Sequence, residues 1–270
     1  MTSDVRITTA GDRRFTYLEE GSGMPLVLLH GVGSGARSWK HQLRELSKRF
    51  RVIAWDAPGY GDSSAVSPAE PDASDYAAAL GDFLKARDVD RFHLVGSSLG
   101  CVIAARFARL HPERILSLTL ASVAAGHATL PADERERLKD MRLGDLAELG
   151  PRAMAEKRGP RLLGPHADEE TKRAVVETMG MIRPEGYTQA VRMLSMADTR
   201  ADVRQLPAGM RMQIIYGDAD VITTPAQNRS VAAERPGVPV HVLSGGGHAV
   251  YLEQPAAFNE LLLTFTQKHQ

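Results

Sequence analysis

The sequence predicts an α/β protein: a mostly parallel, eight-stranded sheet with helices on both faces, interrupted by a helical insertion. Three observations lead there. Short, wholly apolar runs alternate with amphipathic stretches of helical length, the pattern of strands buried on both faces and joined by crossover helices. Between residues 124 and 206 the alternation stops and only helical spacing remains. After residue 206 it resumes with two more strand–helix pairs.

Taken in order, "VRITTAGDRRFTYLEEG" (5–21) reads as an antiparallel pair at the sheet edge. "PLVLLH" (25–30) is a compact strand running into a glycine-rich loop, and "ARSWKHQLRELSKRF" (36–50) has helical spacing. "RVIAWD" (51–56) is the next strand. "SDYAAALGDFLKARDV" (74–89) reads as a helix with Ser74 as its N-cap. "RFHLVG" (91–96) is a strand, followed by a helix that stops near Pro112 and by the strand "ILSLTLAS" (115–122). Past the insertion come "MQIIYG" (212–217), a helix from Pro225, "VPVHVLS" (238–244) and a final helix from Pro255. The expected division is a core of 1–123 and 207–270, with 124–206 as a helical cap.

The 270 residues carry 33 basic and 33 acidic side chains, so the formal net charge is zero and no nucleic-acid or anionic-membrane partner is expected. One cysteine, Cys101, cannot form an intramolecular disulfide. The N-terminal stretch lacks the apolar segment of a secretory signal, and no apolar run approaches the roughly 20 residues of a membrane helix. The expectation is a cytoplasmic protein, monomeric or homodimeric, acting on a small molecule without cofactor or metal.

Chemistry enters at Gly96-Ser97-Ser98-Leu99-Gly100, a G-x-S-x-G pattern between a strand and a helix. Such a turn holds its central residue in a strained conformation above the sheet, and its neighbours must be tiny for strand and helix to approach. The following helix N-terminus adds partial positive charge where an oxyanion forms. Ser98 is therefore the candidate nucleophile, and Ser97 a neighbour.

A serine hydroxyl needs a general base. Of nine histidines, His248 stands apart in "LSGGGHAVYLEQP", on a loop freed by three glycines and leaving the carboxyl edge of the sheet. His41, His93 and His111 read as packing or solvent groups, and His127 and His166 fall in the insertion. The third member must orient the imidazole. "YGDADVITTP" offers Asp218 and Asp220; Asp220 lies further out and is preferred, with Asp218 bonding the turn. Asp56 comes too early in the chain and reads as a structural turn residue. The order Ser98, Asp220, His248 is the nucleophile–acid–base order of one fold. Oxyanion donors are expected at the backbone amides of Leu99 and of Val32, in "LLHGVGSGARSW".

Together "LLHGVGSGARSW", "WDAPGYGDS", "LVGSSLGC", "IIYGDADVITTP" and "GGGHAVYLEQP" resemble the α/β-hydrolase superfamily over nearly the whole chain. The run "IRPEGYTQAVRMLSMADTRADVRQLP" is similar to the cap-to-core junction of β-ketoadipate enol-lactonases. The resemblance implies a serine hydrolase of small carboxylic esters or lactones. Two alternatives stand beside it. One is a carbon–carbon hydrolase of ring-fission products, although those enzymes usually carry Gly-Asn-Ser-x-Gly-Gly where this chain has Gly-Ser-Ser-Leu-Gly-Cys. The other is a non-catalytic ligand-binding protein on the same fold. Ser98 argues against dehalogenases and epoxide hydrolases of this fold, which use aspartate there.

In the cap, "RAMAEKRGPR" holds Arg152, Lys157, Arg158 and Arg161 against Glu156. A guanidinium facing the pocket would suit a substrate carboxylate, although a solvated helix face explains the stretch as well. Arg158, Met154 and, near the glycine-rich loop, Trp39 are the candidate substrate contacts.

Overall fold

A computed structural model describes residues 4–267. Its sheet has eight strands: β1 (Arg6–Ala10), β2 (Arg13–Glu20), β3 (Pro25–Leu29), β4 (Arg51–Trp55), β5 (Phe92–Ser97), β6 (Ile115–Ala121), β7 (Met212–Gly217) and β8 (Val240–Leu243). Their order across the sheet is β1-β2-β4-β3-β5-β6-β7-β8. The β1–β2 and β2–β4 pairs are antiparallel and the other pairs are parallel, as the edge hairpin and apolar runs predict.

Among the described residues ten α-helices connect and cover it: α1 (Lys40–Leu46), α2 (Ala73–Ala86), α3 (Leu99–Leu110), α4 (Ala132–Arg158), α5 (Glu169–Gly180), α6 (Pro184–Met196), α7 (Thr199–Arg204), α8 (Pro225–Ala233), α9 (Val250–Glu253) and α10 (Pro255–Gln267). Successive strand residues alternate between two cores. Val27, Leu29, Ile53 and Trp55 pack in one with α2 and α3. Leu26, Leu28, Val52 and Ala54 pack in the other with α1 and α10. This period of two on a sheet covered on both faces is why the strands read as unbroken apolar runs.

Two local readings are corrected. The cap of α2 is Asp72, not Ser74: its carboxylate accepts from the amides of Ser74 and Asp75, and Asp75 returns a bond to the Asp72 amide. A carboxylate at the positive end of a helix outcompetes a hydroxyl two positions inside it. The short helix α9 was not expected; it follows directly on the His248 loop.

Only helices lie between β6 and β7. Of these, α7 packs on α3 and α8 of the core. Asp202 of α7, 3% exposed, pairs with Arg106 (2.9 Å) and Arg109 (2.7 Å) of α3. The helix α4 is broken at Gly150 (φ 70°, ψ 172°), ahead of Pro151. Glycine tolerates that left-handed φ, and proline supplies no amide to continue the first helix, so the chain turns and starts again. Among the described residues no helix is long and apolar enough to cross a membrane.

Candidate active site

Ser98 sits between the end of β5 and the start of α3 with φ 53° and ψ −113°. Positive φ in a residue with a side chain is strained and persists only where the surroundings enforce it. Here the enforcement is visible. The Ser98 amide donates to Ala121 O on β6 (3.0 Å), and Ser98 O accepts from the Cys101 amide (2.9 Å). Gly96 lies against the backbone of Gly100, and Gly100 against that of Leu29, so a Cβ on either would collide with main chain. Cys101 is buried, with its thiol pointed at Gly96 O (3.1 Å), and burial pushes its pKa far up. It is a packing group.

The loop after β3 lies beside the serine: a Cβ on Gly31 would stand 3.2 Å from Ser98 Cβ. That loop is held by side chains. His30 Nε2 accepts from the Ala57 amide (2.9 Å), so the proton is on Nδ1, which donates to Gly31 O (2.8 Å). Burial pushes the His30 pKa down, against the opposing pull of Asp56. The Tyr60 hydroxyl donates to Val32 O (2.8 Å). Asp56 accepts from the Ala36 amide (2.8 Å) and the Thr16 hydroxyl (2.9 Å), which makes it an anchor between loops.

His248 and Asp220 arrive on the loops after β8 and β7. His248 Nδ1 donates to Asp220 Oδ2 at 2.9 Å, and both residues are buried. Asp220 Oδ1 accepts from the amides of Ile222 (2.7 Å) and Thr223 (2.9 Å), and the Thr223 hydroxyl donates to Oδ2 (2.8 Å). Burial alone would raise the Asp220 pKa; the bonds from His248, Thr223 and Ile222 outweigh it and hold the carboxyl below its usual value. A carboxylate that accepts from Nδ1 fixes the tautomer and leaves Nε2 free to take a proton. Asp218 instead accepts from the Gly245 amide (2.6 Å) and the Ser244 hydroxyl (3.1 Å), bonding the turn as expected.

Ser98 and His248 line one cavity of about 130 Å³, together with Gly31, Val32 and Thr223. The insertion supplies much of the remaining wall, including His127, Arg142, Arg158, Arg161 and Met179. It is stitched to the histidine loop. The Ala249 amide donates to Leu162 O (2.9 Å), and Glu253 accepts from the amides of Gly164 (2.6 Å) and Gly247 (3.0 Å).

Three substrate-contact candidates came from the sequence, and the structure separates them. Arg158 reaches the cavity wall but is bonded to Asp145 (Nε to Oδ2, 2.6 Å). Trp39 does not line the cavity: it is fully buried, stacked on Tyr251 at 4.2 Å between ring centres. Met154 does not line it either, being fully buried in the core that the insertion shares with the sheet. Both are apolar groups that the core claims first. The cavity residues His127, Arg142 and Thr223 were not singled out from the sequence. His127 follows β6 at the carboxyl edge of the sheet, the same edge as Ser98, and that position was a usable signal. Among the described residues no three His, Cys, Asp or Glu side chains gather as a metal site.

A sharp βα turn carrying a strained serine, an acid and a histidine on later strand-end loops, and a helical insertion define a class, and comparison with known proteins agrees. Residues 26–261 match the alpha/beta hydrolase family, and the chain belongs to it and is an enzyme of that type. It is 31% identical to the dihydrolipoyllysine-residue acetyltransferase component of an acetoin cleaving system from Pseudomonas putida, over 96% of this chain and 68% of that one. It is also 31% identical to a 2-hydroxy-6-oxo-6-(2'-aminophenyl)hexa-2,4-dienoic acid hydrolase from Metapseudomonas resinovorans, over 67% of this chain and 66% of the other. Among solved structures, the enol-lactonase from Burkholderia xenovorans LB400 superimposes with a TM-score of 0.87 at 21% identity, over 97% of this chain and 100% of that one.

Proposed function

We propose that the protein is a serine hydrolase of a small carboxylic ester or lactone. The observation that carries this is the 2.9 Å bond to Asp220 from His248, which lines the same cavity as Ser98 in its strained turn. His248 Nε2 takes the Ser98 proton as Oγ attacks the carbonyl carbon. The amides of Leu99, at the head of α3, and Val32, on the clamped loop, donate to the tetrahedral oxyanion. His248 then protonates the leaving alkoxide, and a water deprotonated by His248 attacks the acyl-enzyme and releases the acid. Asp220 stabilises the imidazolium in both halves. On the scale of about 10–15 Å³ per water, the cavity suits a ligand of roughly ten non-hydrogen atoms, and the helices over it act as a cap.

Ser98→Ala and His248→Ala are each expected to lower p-nitrophenyl ester turnover by about 10⁴-fold or more, with circular dichroism unchanged. Full activity in either variant would overturn the assignment. A second reading, carbon–carbon bond hydrolysis, draws on the relative from Metapseudomonas resinovorans. Turnover of a vinylogous 1,5-diketone acid, with little on esters and lactones of varied chain length, would favour it.

A further inference from the structure

The break at Gly150 has an electrostatic result. In a straight helix, with 1.5 Å rise per residue, the 13 positions from Asp145 to Arg158 would span about 20 Å. The break folds the second half back, so that Arg158 Nε meets Asp145 Oδ2 at 2.6 Å and Lys157 Nζ meets Oδ1 at 2.8 Å. Asp145 lies three residues beyond Arg142, a spacing at which side chains pair on a helix. Both of its oxygens are engaged with the returning segment instead. Arg142 is half-buried on the cavity wall, and among the described residues no carboxylate pairs with it.

His127 lines the same cavity. Its Nδ1 is buried and has no hydrogen-bond partner among the described residues. Burial, assisted by the nearby charge of Arg142, pushes its pKa down, so the ring is neutral and keeps one N–H to donate. The Arg142 charge is also felt at Tyr60, whose hydroxyl holds the Val32 carbonyl. Arg142, Val32 of the glycine-rich loop and Ser98 line the same cavity. A half-buried guanidinium on the cavity wall and a buried, unanswered imidazole nitrogen on a neighbouring wall residue cost stability unless an anion meets them.

We propose that Arg142 and His127 form a seat for a carboxylate, so that the enzyme selects esters or lactones bearing a carboxylate near the scissile carbonyl, with the exposed Arg161 at the rim. The guanidinium supplies paired donors that match a planar carboxylate. The seat rests on the serine-hydrolase reading for where the carbonyl lies, but not for the binding of the anion.

The test uses monomethyl glutarate, which carries one carboxylate, and the neutral dimethyl glutarate, titrated calorimetrically into Ser98→Ala. The half-ester should bind about 10-fold to 100-fold more tightly, and Arg142→Gln in the same background should remove most of that preference. Arg142→Lys should keep part of it. Arg152→Gln, on an exposed face and paired with Glu156, should leave both affinities unchanged. Thermal melts of each variant check that the fold survives. Equal binding of the two ligands, or equal weakening of both by Arg142→Gln, overturns the seat. Failure of a fluorophosphonate to label Ser98 in the wild type overturns the serine-hydrolase reading, and the calorimetry still decides the seat.

Discussion

The sheet core and the helical insertion build the same cavity by different means. The core delivers Ser98, Asp220 and His248 on loops that leave the ends of β5, β7 and β8, and each loop is fixed by backbone bonds to its neighbours. The insertion delivers Arg142 and Arg158 from a broken helix whose fold-back depends on two residues, Gly150 and Pro151, and Arg161 from the 3-10 turn that follows it. Residues at strand ends are placed by a repeating architecture. Residues on the insertion are placed by one local irregularity, and a small sequence change there would reorder which charges line the cavity. In the proposed reading, the chemistry lies on the core and the choice of substrate on the insertion.

The largest way to sharpen this contrast within the core is Asp220→Asn. It should lower kcat on a p-nitrophenyl ester by about 10³- to 10⁴-fold, because the amide no longer holds the imidazole in the right tautomer. A near-normal rate would move the acid elsewhere. In the insertion, Met154→Ala should cost about 2–5 kcal/mol of stability by urea unfolding, as a fully buried side chain leaves a cavity. Ligand preference should not move. A shift in preference without loss of stability would return Met154 to the substrate wall.

At the opposite end of β5 from Ser98, burial pushes His93 down to about 4, with Arg211 adding to the effect. Its Nδ1 and the Ser117 hydroxyl lie 2.8 Å apart. As pH falls, the unfolded chain takes up this proton first, near its ordinary value of 6.5. Stability present above that pH is therefore lost progressively as pH falls towards 4. Between pH 7 and pH 5 the loss from this group should be about 2 kcal/mol. His93→Gln should flatten that part of the profile in urea unfolding, and an unchanged slope would assign acid sensitivity to other groups. The smallest effect expected is for Thr223→Val, which removes one hydroxyl bond to Asp220 (2.8 Å). Roughly 10-fold in kcat is anticipated, with KM for a neutral ester little changed.

The legibility of the sequence follows the same division. Strands buried on both faces announce themselves as apolar runs, so their succession along the chain and the edge hairpin could be read directly. The G-x-S-x-G turn and the "GGGH" loop could be read because each requires glycine at set positions. Trp39 and Met154 misled because large apolar side chains look alike whether they line a pocket or fill a core. Arg142 was passed over for another reason. Nothing in the run 132–158 shows that Asp145 turns to Arg158 instead of its i−3 neighbour, since that depends on the angle of the chain at Gly150. The cap of α2 went to Asp72 over Ser74 by a difference of hydrogen-bond strength that pattern alone does not rank.

The clamp on the loop after β3 has a consequence for timing. His30 and Tyr60 tie down the carbonyls of Gly31 and Val32 with bonds of 2.8 Å that involve no substrate atom. The entropy lost in ordering that loop is therefore surrendered once, as the chain folds, and not again at every encounter with a ligand. A loosened Tyr60 would convert a cost met once in the lifetime of the molecule into one repeated with each catalytic cycle.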